Sequence, residues 1–341
     1  MMENSSSRIS YYHYNAQEYT FFENVSPEEC SSLVQHSHVN WYNVVGISDR
    51  VFMQRVADTF KIHPLVLDDI TNPNQRAKIE EYDDMLYIVL RMFFLKEGKI
   101  DDQQISFVLH DNALLTFREV ETGLFKKSVG EKIALGSGNL RKNGEDYLLY
   151  TLLDVIIDNY YLVLAQIGEE IEVLDLEILS SPKDNHLALL QGLKGNVLYI
   201  RKNILPVRDL INNLIRFEIS YFDTANKYYL RDLQDHMQRN VDEIDFQRDQ
   251  LASLMDLYYS LQTHKMNNVM KTLTGVSFVL LPLTFLASLY GMNFINIPHA
   301  NDPYGFYEVV AAMLIIAIGL TLFAFRRDWL STKDFSNRDR S

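Results

Sequence analysis

The sequence predicts an α+β domain (a helix-covered β-sheet), then a long helical stalk and two C-terminal transmembrane helices. Three observations predict it. The first third carries short runs of β-branched and aromatic residues bounded by turn residues. From Glu145 onward Gly and Pro become scarce, and apolar residues recur at spacings of three and four. Near the C-terminus, Thr272–Tyr290 and Val309–Phe325 hold no charged residue over 19 and 17 positions. At about 1.5 Å rise per residue, each run spans roughly the 30 Å hydrocarbon core of a bilayer.

The elements follow in order. Tyr11–Tyr14, Val39–Ile47, Met85–Leu95, Ile105–His110 and Leu114–Arg118 read as strands, the last two joined in a hairpin by His110-Asp111-Asn112. Asp49–Lys61 and Leu65–Thr71 read as helices separated by Pro64. In the second region Leu148, Leu152, Val155, Ile156, Asn159, Leu162 and Val163 mark a helix running to about Leu179, closed by Ser180-Ser181-Pro182. A returning helix begins at Lys183 and is expected to break near Pro206, which lacks an N–H and crowds the preceding turn. A third helical run from Tyr221 carries no Pro or Gly to Thr274 and flows into the first span. It makes one helix of about 65–70 residues, near 100 Å. The layout is an α/β domain at 1–140, a stalk at 141–271, a first span at 272–290, a loop at 291–308, a second span at 309–325 and a tail at 326–341.

Composition limits what such a chain can do. Residues 1–270 hold 26 Lys and Arg against 40 Asp and Glu, a formal charge of −14, while the remainder carries +1, for −13 in all. So acidic a surface disfavours nucleic acid as a partner and suits solvation or contact with cations. Met1–Ser10 is polar, without the apolar core of a secretory signal, so the large N-terminal part is expected in the cytoplasm. Two spans return the chain to the same side. Arg326 and Arg327 follow the second span, and Phe294–Glu308 has no Lys or Arg, as the positive-inside rule requires. The expected location is the inner (cytoplasmic) membrane, multi-pass and in contact with lipid, with both termini cytoplasmic. The single cysteine, Cys30, rules out an intrachain disulfide. No phosphate-binding glycine loop, zinc-type His/Cys spacing or nucleophile elbow is present, so no enzyme and no organic cofactor is expected.

The first span carries a stripe. At 100° per residue, Ser277, Leu281, Thr284 and Ser288 fall within about 60° of one another. Such a stripe suits close helix packing through small residues, or the lining of a narrow aqueous path. Leu273 and Leu281 could form apolar rings that gate by dewetting, with Asn267 one to two turns upstream. The span ends at Gly291-Met292-Asn293, in a loop of about 18 residues between the spans. Gly291 allows the helix to stop abruptly, and Asn293 offers a neutral oxygen. Mg²⁺ dehydrates reluctantly, and neutral oxygens can hydrogen-bond its waters without stripping them.

At these residues the chain resembles the CorA family of magnesium channels. The run Leu281-Pro282-Leu283-Thr284-Phe285-Leu286-Ala287-Ser288-Leu289-Tyr290-Gly291-Met292-Asn293-Phe294 looks like that family's first span and signature loop. His63-Pro64-Leu65-Val66-Leu67-Asp68-Asp69-Ile70 and Gln75-Arg76-Ala77-Lys78 look like its cytoplasmic domain, and Asp146-Tyr147-Leu148-Leu149-Tyr150 and Tyr229-Leu230-Arg231-Asp232 like its stalk. The resemblance implies a funnel-shaped homopentamer that passes Mg²⁺, and also Co²⁺ or Ni²⁺. It implies a pore lined at Asn267, Leu273, Leu281, Thr284 and Asn293. It also implies a regulatory Mg²⁺ site between protomers at Asp69 and Asp232, with Asp68 beside it. A zinc transporter of the same superfamily, with or without proton coupling, is the alternative. One departure stands out: where relatives carry an acidic turn, this chain reads Ile297-Pro298-His299-Ala300-Asn301-Asp302.

Overall fold

In the computed structural model, residues 7–34, 37–82, 84–96, 98–110, 113–216, 221–222, 226–293, 297–298, 302–327 and 329 are described. The chain divides into two compact units, residues 1–255 and 256–341.

The first unit is built on a seven-stranded sheet. Its strands are β1 (Arg8–Tyr14), β2 (Tyr19–Val25), β3 (Val39–Val45), β4 (Lys78–Tyr82), β5 (Met85–Lys96), β6 (Lys99–His110) and β7 (Ala113–Arg118). They stand in the order β2-β1-β3-β7-β6-β5-β4. All neighbours are antiparallel except β3 and β7, which pair in parallel from Asn40 opposite Ala113 to Val45 opposite Arg118. His110 pairs with Ala113, so the expected β6–β7 hairpin forms, although its turn residues 111–112 lie outside the described ones.

Every side chain of β3 is buried, so both faces of the sheet are covered. One face packs on α1 (Pro27–Leu33), α2 (Arg50–Phe60) and α3 (Pro64–Thr71) through Tyr42, Phe52, Val56, Val66, Tyr87 and Phe117. Asp49 caps α2, its Oδ1 accepting from the N–H groups of Val51 and Phe52, and Lys61 ends the helix in the left-handed region at φ 52°. His63 caps α3 in the same way, with Pro64 at the first helical position. Across the other face lies α5 (Glu145–Ser180). Asn159 donates to the Phe93 carbonyl at 2.6 Å, the Tyr160 hydroxyl donates to the Arg91 carbonyl, and the Phe93 and Tyr160 rings sit 5.4 Å apart. A short helix, α4 (Glu131–Leu135), follows a π-turn at Lys126–Gly130 on that side.

Three long helices then pack together. α6 (Asp184–Arg216) returns along α5, and α7 starts at Lys227 and ends at Tyr290 as one helix of 64 residues. Asn240 and Gln247 of α7 donate to the Ile157 and Leu164 carbonyls of α5 at 3.0 and 2.8 Å, and Arg201 of α6 pairs with Asp245 at 2.8 Å. The long third helix is therefore as expected. The break near Pro206 is not: α6 runs through it, with Pro206 buried. A proline inside a helix costs about 3 kcal/mol. The stripe Ile200, Ile204, Val207, Leu210, Ile211 and Leu214 is buried around it, and each such side chain returns about 1.5–3 kcal/mol.

The second unit holds the end of α7 and α8 (Gly305–Arg326). Among the described residues, three helices are long and apolar enough to cross a membrane, α5 as well as α7 and α8. Burial separates them. In the most apolar stretch 61% of α5 is buried, against 6% in α7 and in α8. α5 hides its apolar surface inside its own unit, whereas α7 and α8 need an apolar surrounding to cover theirs.

Candidate functional site

The C-terminal third of α7 has two different sides. Gly275 is buried, and Phe278, Val279, Pro282, Leu283 and Leu286 are partly covered. Phe278 stacks toward α8, its ring centroid 6.0 Å from Phe323 and 5.4 Å from Trp329. Ser277, Leu281, Thr284 and Ser288 are all exposed. At 100° per residue the covered group and this stripe are centred about 160° apart. The stripe is therefore not the seam that α7 uses against α8. Leu273 and Leu281 are 59% and 69% exposed on the same side, and Asn267 is exposed nearer the middle of the helix.

The hydroxyls on the stripe are already anchored. Thr284 Oγ1 donates to the Leu280 carbonyl at 2.9 Å, and Ser288 Oγ to the Thr284 carbonyl at 2.8 Å. Each hydroxyl proton is spent on the helix, so the outward-facing lone pairs act as acceptors, the polarity that suits a hydrated cation. Below them α7 closes at Tyr290. The Gly291 N–H donates to the carbonyls of Ala287 and Ser288 at 3.0 and 3.2 Å, and the Met292 N–H to Leu289 at 3.3 Å. Gly291 is not among the glycines with positive φ. Its requirement is space: a Cβ there would sit 3.3 Å from the Ala287 carbonyl oxygen. Met292 and Asn293 are exposed immediately beyond. Of the divergent turn, residues 299–301 lie outside the described ones.

The predicted regulatory acids sit in the first unit on two helices. Asp68 and Asp69 occupy the last turn of α3, where the helix dipole is negative and a cation is favoured. Asp68 is exposed. Asp69 is not a free carboxylate. Its Oδ1 accepts from Gln75 Nε2 at 2.6 Å, and its Oδ2 pairs with Lys78 Nζ at 2.6 Å. The Lys78 ammonium also reaches Glu80 Oε1 at 2.8 Å. Burial pulls the Lys78 pKa down, but the hydrogen bonds to Asp69 and Glu80 and their charges outweigh it, and the net shift is upward. Gln104 Nε2 donates to the Asp69 carbonyl at 2.9 Å and so holds the end of α3 to β6.

Asp232 lies on α7, where the Tyr150 hydroxyl donates to it at 3.4 Å. No hydrogen bond or ion pair joins Asp69 to Asp232 in one chain, among the described residues. Asp232 instead adjoins a cluster that the sequence reading missed. His236 faces it one helical turn on, with Nε2 3.6 Å from Asp232 Oδ1. The other ring nitrogen, Nδ1, lies 3.3 Å from Asp154 and 3.6 Å from Asp158 of α5. Ligand atoms of Asp154, Asp158 and His236 all fall within 4.8 Å of one another. Asp154 Oδ1 is buried and meets His236 as a charge contact without hydrogen-bond alignment. Burial, then the charge of Asp158, pushes the Asp154 carboxyl above the usual carboxylate range, only partly offset by His236. The signal was present in the sequence as two i,i+4 pairs, Asp154 with Asp158 and Asp232 with His236, each on one helix face.

The family described as CorA-like Mg²⁺ transporter protein matches residues 36–327. The cobalt/magnesium transport protein CorA of Thermotoga maritima is 35% identical over 324 residues, covering 94% of this chain and 92% of that one. The zinc transport protein ZntB of Cronobacter sakazakii is 23% identical over 309 residues, covering 90% and 92%. Among solved structures, the complete CorA magnesium transporter from Methanocaldococcus jannaschii superposes with a TM-score of 0.79 at 22% identity, over 96% of this chain and 99% of that one. That likeness speaks for the fold.

Proposed function

The chain belongs to the CorA-like Mg²⁺ transporter family of divalent cation transporters, and from that premise we propose that it is a homopentameric channel for Mg²⁺ influx across the cytoplasmic membrane. Co²⁺ and Ni²⁺, cations of similar charge and hydration, pass by the same path. The observation that carries the reading is the two-sidedness of α7. One side is taken up by α8; the other presents Ser277, Leu281, Thr284 and Ser288, uncovered within the chain and ending at Asn293. Five copies of α7 arranged around an axis would line a path with hydroxyl lone pairs, close it at Leu273 and Leu281 by dewetting, and place a ring of Asn293 amides at the outer mouth. Gly291, Met292 and Asn293 then form the filter, and Asn267 lines the inner entrance.

Gating follows from the acids. With no ion present, Lys78 offsets only one of Asp69 and Glu80, and the charges of Asp68 and Asp232 add to the remainder, so neighbouring protomers repel one another. Mg²⁺ bridges Asp69 and Asp232 across the interface, with Asp68 beside them, and favours the closed, symmetric form. The cluster around His236 extends this site on the Asp232 side. Carboxylate oxygens suit a hard cation, and the imidazole adds tolerance for Co²⁺.

The likeness to a zinc transport protein keeps Zn²⁺ as the second reading. Against it, neither span contains a His or Cys, the ligands that zinc prefers. The test is Asn293→Ala. Mg²⁺ flux should fall to background while the oligomer still assembles. Near-normal flux in that variant would remove the filter role from Asn293.

A further inference from the structure

We propose that Lys78 is a tethered competitor for the regulatory cation at Asp69, so that the ion binds by displacing an ammonium group the protein itself supplies. The proposal rests on the reading of Asp69 as a ligand of that ion, and adds what sets the concentration at which the site fills.

Asp69 is confined in a way that an ordinary surface carboxylate is not. Its side chain is 15% exposed, and it stands at the negative end of α3. A carboxylate so placed needs a counter-charge when the cation is scarce. Lys78 provides it at 2.6 Å, on Oδ2, while Gln75 at 2.6 Å fixes the rotamer through Oδ1. Both oxygens are thereby engaged. A divalent ion that takes Oδ2 directly must remove the ammonium, since two cations cannot share that position without repulsion.

The displaced group has a place to go. Glu80 Oε1 is already 2.8 Å from Lys78 Nζ, and residues two apart on a strand share a face. The ammonium can therefore release Asp69 and keep Glu80 without being left unpaired. The ammonium also has the Tyr87 ring beside it, with Nζ 5.9 Å from the ring centroid, a second favourable contact for the cation. Exchange is a short swing of one side chain. Because each bound ion must expel a lysine, the site fills at a higher cation concentration than its carboxylates alone would set, and each of the five copies of the site carries the same offset.

The experiment uses purified full-length protein and MgCl₂, reading the Mg²⁺ midpoint for protection from limited proteolysis. Lys78→Gln should lower the midpoint by about threefold to tenfold, the range expected for losing a partly buried charge-assisted competitor. Lys78→Arg, which keeps the charge, should stay close to wild type. In an Asp69→Asn background, Lys78→Gln should move nothing. A structural role for Lys78 would give the opposite sign, since a loosened α3 raises the midpoint. Lys78→Met, which keeps an unbranched apolar side chain without the charge, repeats the test should Lys78→Gln fold poorly. If Lys78→Gln leaves the midpoint unchanged or raises it while Asp69→Asn shifts it, Lys78 is not a competitor, although Asp69 remains a ligand. If Lys78→Gln lowers the midpoint equally without Asp69, the lysine acts only by long-range repulsion and the proposal is wrong. If Asp69→Asn itself shifts nothing, the reading of Asp69 fails and the proposal with it.

Discussion

The two-sidedness of α7 predicts a pattern of thiol reactivity that the rest of the molecule is well suited to report. Ser277→Cys, Thr284→Cys and Ser288→Cys place a thiol on the stripe, and Val279→Cys places one on the side partly covered by α8. The native background is quiet. The single native cysteine, Cys30, is fully buried, and burial pushes its pKa up to about 12. At pH 8 its thiolate fraction is about 10⁻⁴, against roughly one quarter for a thiol of ordinary pKa about 8.5, so ionisation alone slows it by about three orders of magnitude. Burial slows it further. A thiol on a hydrated path ionises normally, while one facing lipid or α8 does not. A charged methanethiosulfonate reagent should therefore block Mg²⁺ flux through the three stripe variants, leave Val279→Cys nearly untouched, and leave the wild-type chain untouched. Each stripe thiol should react at least about tenfold faster than Val279→Cys, the ratio expected from a one-unit difference in effective thiol pKa alone. Equal modification at both sides, or block at Val279→Cys alone, would refute the assignment of the stripe to the path.

Three further outcomes follow. Leu273→Asn and Leu281→Asn should each raise Mg²⁺ leak under closed conditions, measured as uptake at high internal Mg²⁺, because a polar ring wets where leucine does not; unchanged leak in both would move the constriction elsewhere. Replacing Asp232 by Asn should raise the Mg²⁺ midpoint for proteolytic protection, and the double variant with Asp69→Asn should raise it further; an unchanged midpoint in the double variant would leave both as surface charges. Asp154→Asn should raise the midpoint and, in EDTA, also raise Tm. The folded-state pKa of Asp154 lies above its unfolded value, so its ionised form weakens the fold at neutral pH, and neutralising it removes that penalty. A lower Tm in EDTA would contradict this.

What could be read from the sequence divides along physical lines. The C-terminal part of α7, and α8, announce themselves because nothing inside the chain interrupts their apolar runs. The five strands found are central or adjacent ones, buried on both faces or nearly so. The two missed, β2 and β4, are the two edges of the sheet. An edge strand has one neighbour and a solvated side, so Phe22, Glu23 and Asn24 or Glu80 and Glu81 carry no apolar alternation to read. Pro206 misled because a local penalty was weighed without the six buried side chains that surround it. α5 shows the limit of hydropathy: its composition passes for a membrane span, and only burial against the sheet and the neighbouring helices distinguishes it. The candidate site divides in the same way. The stripe and the Gly-Met-Asn turn are local in sequence and were legible. The pairing of Asp69 with Lys78 crosses from a helix to a strand nine residues on, and His236 reaches Asp154 82 residues away, so neither contact between elements has a periodic signature, although each half of the His236 cluster is an i,i+4 pair.

The central claim is passive flow of Mg²⁺ through the path that α7 lines. It is tested most directly by ion uptake into proteoliposomes containing the purified full-length chain, under an inside-negative potential, with and without an imposed proton gradient, and with Mg²⁺, Co²⁺, Ni²⁺ and Zn²⁺ in turn. The predicted result is Mg²⁺ uptake driven by the potential alone, shared by Co²⁺ and Ni²⁺, indifferent to the proton gradient and lost in Asn293→Ala. Zn²⁺ uptake that requires the proton gradient, with no Mg²⁺ uptake under potential, would contradict it.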